Sequence, residues 1–86
     1  MRDLLRALSD SNRRRMLELM RVAPRCVKEL EAELKVSQTL ISKHLRVLRE
    51  QGLVEVVIDK RWRRYSIRSG GLKELADWMK NFDSKE

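Results

Sequence analysis

Residues Ser37 to Val54 read S-Q-T-L-I-S-K-H-L-R-V-L-R-E-Q-G-L-V, and on this stretch the reading of the whole chain turns. At 100° per residue Ile41, Leu45 and Leu48 fall on one narrow stripe, while Thr39, Ser42, Lys43 and Arg46 gather opposite. The Ser37 hydroxyl is placed to cap the first turn. Gly52 can take the left-handed conformation that ends a helix without a Cβ penalty. The prediction is a helix that packs one face inward and leaves hydroxyls, an amide and positive charge free to touch a base edge or a phosphate.

Upstream, Val27, Leu30 and Leu34 define a short helix whose Glu29, Glu31 and Glu33 lie mostly off its apolar stripe and would repel a phosphate backbone. Only Lys35 and Val36 separate it from Ser37, so the two helices must meet at a sharp angle, and a helix-turn-helix over 27–51 follows. Downstream, Leu53 to Ile58 is rich in β-branched residues. Trp62 to Ile67 is a second strand, with Tyr65 and Ile67 on one face and Arg64 and Ser66 on the other, and Asp59, Lys60 and Arg61 form the tip. A basic-tipped hairpin over 53–68 directly after a helix-turn-helix is a wing.

Both ends of the chain return to helical spacing. Met1, Leu4, Leu5 and Leu8 precede the polar cluster Ser9, Asp10, Ser11 and Asn12, which interrupts the first helix and offers oxygens to cap a second from about Asn12 to Val22. The second helix turns Met16, Leu17 and Met20 inward, and Pro24 blocks its continuation. After Ser69, Gly70 and Gly71, a last helix over 72–82 carries Leu72, Leu75, Ala76, Met79 and Phe82, with Trp78 on the flank of the stripe. The tail Asp83 to Glu86 is expected to fray.

The chain of 86 residues makes one domain, mainly α with a small β-hairpin, about five helices in all. A chain this short leaves much of its surface unburied, so association is the expected supplement to its core. Lys and Arg number 20 against 13 Asp and Glu, a net charge of +7 that favours a polyanionic partner. One cysteine excludes an intrachain disulfide framework and suits a reducing compartment. No stretch approaches the ~20 apolar residues of a membrane span, and the N-terminus lacks the plan of a signal peptide, so a cytoplasmic protein without membrane association is expected.

Taken together, the run L-R-A-L-S-D-S-N-R-R-R-M-L-E-L-M from Leu5 to Met20, the run from Val36 to Val54 and the K-R-W-R-R-Y-S-I of Lys60 to Ile67 resemble the ArsR/SmtB family of winged helix-turn-helix transcriptional regulators. The one departure in the first run is Ser11 and Asn12, where a Pro-Thr pair is usual. The resemblance covers nearly the whole chain. It implies a homodimer joined through the first and last helices, binding an inverted repeat in double-stranded DNA and repressing transcription. The apolar stripes of those helices, Leu4, Leu5 and Leu8 with Leu72, Leu75, Met79 and Phe82, fit that assembly, because a domain of this size would struggle to cover them alone. Two-fold symmetry would set the two reading helices roughly 34 Å apart, one turn of B-DNA.

Many family members sense metals through a C-V-C pair at the start of the third helix or through an Asp/His and His/Glu set on the last. Here the first motif reads Cys26, Val27, Lys28, and the last helix offers Asp77, Lys80, Asn81 and Asp83 without a histidine. A zinc or thiolate site wants about three to four convergent ligands, and Cys26 and His44 are the whole soft-ligand inventory, so a metal-independent protein with no cofactor is expected. Cys26 is read as a plain, partly buried cysteine in preference to a redox sensor, although Arg25 and Lys28 flank it and no second cysteine is present to resolve a sulfenic acid.

Gln38, Thr39, Ser42 and Lys43 occupy the first turns of the reading helix and are the expected base-edge contacts. Arg46 and Arg49 lie farther along it and are expected on phosphates, as are Lys60, Arg61, Arg63 and Arg64 of the wing, which can also enter a minor groove. His44 projects beside Leu40 and Val47, which favours packing over DNA contact. Trp62 and Tyr65 favour hairpin packing over base stacking. Three cations at the start of the second helix, Arg13, Arg14 and Arg15, are costly beside its positive end; Arg13 lies against the core or a phosphate, and acidic groups such as Glu18 can pair the others. Catalysis is not implied, for the chain holds neither a nucleophile with its base nor a phosphate-cradling glycine loop. Two other readings stay open: an RNA-binding winged helix, and a protein-interaction module whose wing docks an acidic partner.

Overall fold

A computed structural model describes residues 1–83. Five helices and one hairpin follow in the order α1 (Arg2–Leu8), α2 (Ser11–Val22), α3 (Val27–Leu34), α4 (Gln38–Glu50), β1 (Val54–Asp59), β2 (Trp62–Ile67) and α5 (Lys73–Asp83). This is the winged helix-turn-helix expected from the spacing. Asp83 closes α5 and is not frayed from it; the rest of the expected fraying tail, residues 84–86, lies outside the described residues.

Local chemistry sets most of the boundaries. The Asp10 carboxylate accepts the Arg13 N–H at 3.0 Å and starts α2, and the Ser37 hydroxyl accepts the Leu40 N–H at 3.2 Å and starts α4. At the far end of α4 the Leu53 N–H donates to the Leu48 carbonyl and the Gly52 N–H to that of Arg49, both at 2.9 Å, with Gly52 at φ +70°. These are the paired bonds of a Schellman cap, and the apolar contact that accompanies such a cap is met by Leu48 and Leu53, both buried. The turn of the helix-turn-helix is made by Lys35, held left-handed at φ 58°, ψ 41°.

One core serves the molecule. It gathers Leu4 and Ala7 of α1, Met16, Leu19 and Met20 of α2, Leu30 of α3, Ile41, Leu45 and Leu48 of α4, and Leu53, Val54 and Tyr65 around the root of the hairpin. Two expectations change here. On α2 the third buried residue is Leu19, while Leu17 is partly buried and packs against the edge of the core. Leu4, expected at an intersubunit face, is 6 % exposed and belongs to the core of its own chain.

The hairpin pairs antiparallel from Val54↔Ile67 to Asp59↔Trp62, one residue later on its first strand than the sequence suggests, which leaves only Lys60 and Arg61 as the turn. Lys60 takes φ 58°, the positive value that the first central residue of a two-residue type II′ turn requires. A single extra bridge joins the sheet: Arg25 and Tyr65 exchange both backbone bonds at 2.9 and 2.8 Å, which fastens the wing's root to the start of α3. Pro24 prefigures it only in that it holds the chain extended.

Candidate nucleic-acid interface

Helix α4 is half core and half surface. Ile41, His44, Leu45 and Leu48 are buried, whereas Gln38, Thr39, Ser42, Lys43, Arg46 and Arg49 are exposed, so every residue assigned to base or phosphate contact on this helix faces solvent. Arg46 Nε lies 3.3 Å from Glu50 Oε2, an exposed i,i+4 pair of small energetic weight that a phosphate can replace. No acidic residue stands in the first turn of α4, where the free N–H groups already favour an anion.

The wing extends this surface. Its root is buried at Val54 and Tyr65, and exposure rises to 65 % at Ile58 towards the tip. Lys60, Arg61 and Arg63 are exposed, and Arg63 shares a face with Ile58, its cross-strand partner. Arg64 differs from the other three: it is half-buried on the opposite face, and its charge helps hold the Glu29 carboxyl below its ordinary pKa, after the larger effect of the Cys26 N–H donated to Glu29 at 2.9 Å. The two aromatic residues also divide. Tyr65 packs as expected, whereas Trp62 is 48 % exposed, since the strand has already left the body of the protein at that register.

Three arginines at the start of α2 find their use here. Arg13 Nε donates to the Ala7 carbonyl at 2.7 Å, its Nη2 to Arg6 at 3.3 Å, and Arg14 Nη1 donates to Leu8 at 2.8 Å. The negative C-terminal end of α1 thereby offsets the cations at the positive start of α2. Arg15 pairs with Glu18 at 3.7 Å. Arg13 also reaches His44 Nδ1 at 3.2 Å. A guanidinium has only donors, so Nδ1 accepts and the imidazole proton sits on Nε2. One side chain therefore ties α1, α2 and the interior face of α4 together and positions the helix that carries Gln38 to Lys43.

His44 is 4 % exposed, and its Nε2 stands 3.9 Å from Asp10 Oδ1 with no hydrogen-bond partner among the described residues. Burial holds its pKa below the usual imidazole value; Asp10 pulls the other way, and Arg13 and Lys43 add to the depression. Burial works to raise the Asp10 carboxyl, but the Arg13 N–H and the nearby His44 and Arg13 outweigh it and leave Asp10 below its ordinary value. The sequence signalled His44 as packed, but not its partner, because Arg13 lies 31 residues away. Cys26 begins α3 beside the Glu29 carboxylate, and among the described residues no three of His, Cys, Asp and Glu converge on a common point.

The family model for bacterial regulatory proteins of the arsR family matches residues 10–56, more than half of the chain. The chain belongs to that family: it is a transcriptional regulator on a winged helix-turn-helix DNA-binding fold, and not an enzyme. It is 30% identical over 88 residues to the transcriptional repressor SdpR of Bacillus subtilis (strain 168), across 99% of this chain and 94% of that one. A crystal structure of a possible transcriptional regulator for arsenical resistance is 36% identical with a TM-score of 0.82, over 93% of this chain and 83% of that one. The homodimeric winged helix-turn-helix domain of a Mycobacterium bovis protein shares the fold at a TM-score of 0.76 and 22% identity, over 95% of this chain and 76% of that one.

Proposed function

We propose that the protein is a homodimeric repressor that reads one major groove with each α4 and grips the flanking backbone with each wing. The observation that carries this reading is the division of α4, whose interior face is fixed by the core and by Arg13 while Gln38, Thr39, Ser42 and Lys43 stand exposed on its first two turns. Gln38 can bond adenine, Lys43 suits guanine O6 and N7, and Thr39 and Ser42 can bond an edge or pack on a thymine methyl. Arg46, Arg49, Lys60, Arg61 and Arg63 take phosphates, and Arg64 contributes less because it is half-buried beside Glu29.

Dimerisation uses α1 and α5. Leu5, Leu72, Met79 and Phe82 are exposed, Leu8 and Leu75 are half-buried, and the terminal amine of Met1 lies 3.9 Å from Glu74, which brings the two helices into one surface. Among the described residues no helix is long and apolar enough to cross a membrane, and a cytoplasmic location suits a protein that works on DNA.

A mobility shift with duplexes from the gene's upstream region, across a salt series, tests the reading. A sequence-dependent shift that weakens steeply with salt is expected. Ser42→Ala or Lys43→Ala should relax specificity at one or two base pairs at a cost of ~1–3 kcal/mol, whereas Arg61→Ala or Arg63→Ala should weaken all sequences and flatten the salt slope. Exposed Trp62 is the one observation that favours the RNA-binding alternative, since an aromatic beside a basic tip can stack on an unpaired base. Equal affinity for RNA and DNA would overturn the DNA reading in its favour.

A further inference from the structure

We propose that the apolar cavity between α2, the end of the wing and the start of α5 is an effector site for a small amphiphilic anion, a carboxylate with a short apolar tail. The cavity holds about 320 Å³ and is walled by Leu17, Leu53, Ile67 and Leu72, with Gly70 and Gly71 completing it. At roughly 30 Å³ for each water-sized group it accepts on the order of ten non-hydrogen atoms, the small end of ligand pockets.

The rim fixes the sign of the ligand. Arg21 and Arg68 border the cavity, and neither guanidinium has a hydrogen bond or an ion pair among the described residues. The acidic residue on the rim, Glu18, is already paired with Arg15. Two free guanidiniums over an apolar chamber suit a carboxylate, which a guanidinium binds bidentately while the tail leaves water. An uncharged tail would leave both cations unused, and a hydrophilic anion would leave the chamber unfilled.

The walls connect the ligand to the regulator's working parts. Leu53 is the residue whose N–H closes the cap of α4, Ile67 pairs with Val54 at the root of the wing, and Leu72 leads into α5. Arg68 lies against Gly52, where an added Cβ would approach its Nη1 to 3.0 Å. An occupant therefore touches the reading helix's end, the wing and the α5 helix at once, and can favour one arrangement of them over another. This regulatory consequence rests on the DNA-binding reading; the binding site does not.

Titrating the protein with octanoate below its micellar range, with octan-1-ol and acetate as controls, separates the two. Amide shifts in the ¹H–¹⁵N spectrum read binding without DNA. Octanoate should perturb Gly70, Gly71 and Leu53 and bind about tenfold more tightly than octan-1-ol, acetate should do neither, and Arg21→Gln/Arg68→Gln should erase the preference. Ile67→Trp, which fills the chamber, should abolish binding of both. On operator DNA, saturating octanoate should change the affinity by at least about fivefold, and the double variant should not respond. Equal binding of octanol and octanoate, or shifts that map elsewhere, would overturn the assigned chemistry. Failure of all three probes, as when a second copy covers the cavity, would overturn the site, and binding without a change in DNA affinity would overturn the effector role.

Discussion

Helices α4 and α5 carry apolar stripes of similar strength and meet opposite fates. Helix α4 buries Ile41, His44, Leu45 and Leu48, whereas α5 buries no residue and leaves Trp78, Met79 and Phe82 exposed, Phe82 at 62 %, with Leu72 exposed just before it. On α5 only Leu75 packs against the core, and Trp78 and Phe82 cover each other edge to face at 4.8 Å. The stripe in a sequence declares that a helix needs a partner; whether that partner lies in the same chain depends on what the rest of the fold can supply. Helices α2 and α3 and strand β1 already pack against α4 before the chain reaches α5, and the apolar face that remains on α5 is the one we propose meets a second copy.

The largest expected effect separates the two helices directly. Leu45→Ala should cost ~2–5 kcal/mol of stability at every protein concentration, through lost burial and the cavity left behind. Met79→Asp should leave the unfolding of a dilute monomer within about 0.5 kcal/mol of the parent, as an exposed substitution does. It should raise the dimer dissociation constant by at least about tenfold, measured by sedimentation. A Met79→Asp protein that stays dimeric at micromolar concentration would place the interface elsewhere.

How far this was readable before folding follows from the range of the interactions concerned. The caps at Asp10 and Ser37 and the stop at Gly52 bond within five residues of themselves; the sequence points to Ser37 and Gly52 directly and to Asp10 only as one of the cluster Ser9 to Asn12. The polar face of α4 was legible for the same reason, since a helix wheel is local. What escaped lies between distant segments: Leu19 in place of Leu17, the Arg25–Tyr65 bridge, and Arg13 reaching both α1 and His44. The only sequence signal for Arg13 was its cost at a helix start. Strand pattern suggests hairpin packing for Trp62 but does not tell where a hairpin leaves the body, and Trp62 stands exposed.

A second contrast is titratable. Helix α4 buries an imidazole where α5 buries no side chain, so the helix-turn-helix should carry a pH dependence that traces to His44. The folded-state pKa of His44 lies below its ordinary value of 6.5, chiefly because burial disfavours the cation. As pH falls through about 6.5 the unfolded chain takes the proton first and binds more protons than the native one, so stability falls with pH from there down to the folded pKa. Asp10 acts in a separate window: its carboxyl is held below 3.8, and the stability that gives is lost only as pH drops beneath that value. The melting temperature should therefore decline between pH 7 and 5.5, and His44→Gln, which keeps an acceptor for Arg13, should flatten the decline. An unchanged slope in the variant would remove His44 from the account.

The smallest expected effect concerns how each helix is introduced. A left-handed residue stands shortly before both: Lys35 at φ 58°, two residues before Ser37, and Gly70 at φ +81°, three before α5 begins. Glycine holds that conformation without a Cβ penalty, while a lysine carries ~1–2 kcal/mol of steric cost, part of which a replacement would give back as extra freedom in the unfolded chain. Lys35→Gly should therefore stabilise the protein by up to about 1 kcal/mol, and Gly70→Ala should destabilise it by a similar amount. Lys35 also closes α3 by donating its N–H to Glu31 at 2.8 Å, a backbone bond that glycine keeps. DNA affinity should be unchanged by Lys35→Gly at matched salt if the turn's geometry is what the sequence maintains there. A loss of affinity with a flatter salt slope would instead assign the Lys35 ammonium a phosphate, and would explain why a lysine is held where a glycine is more stable.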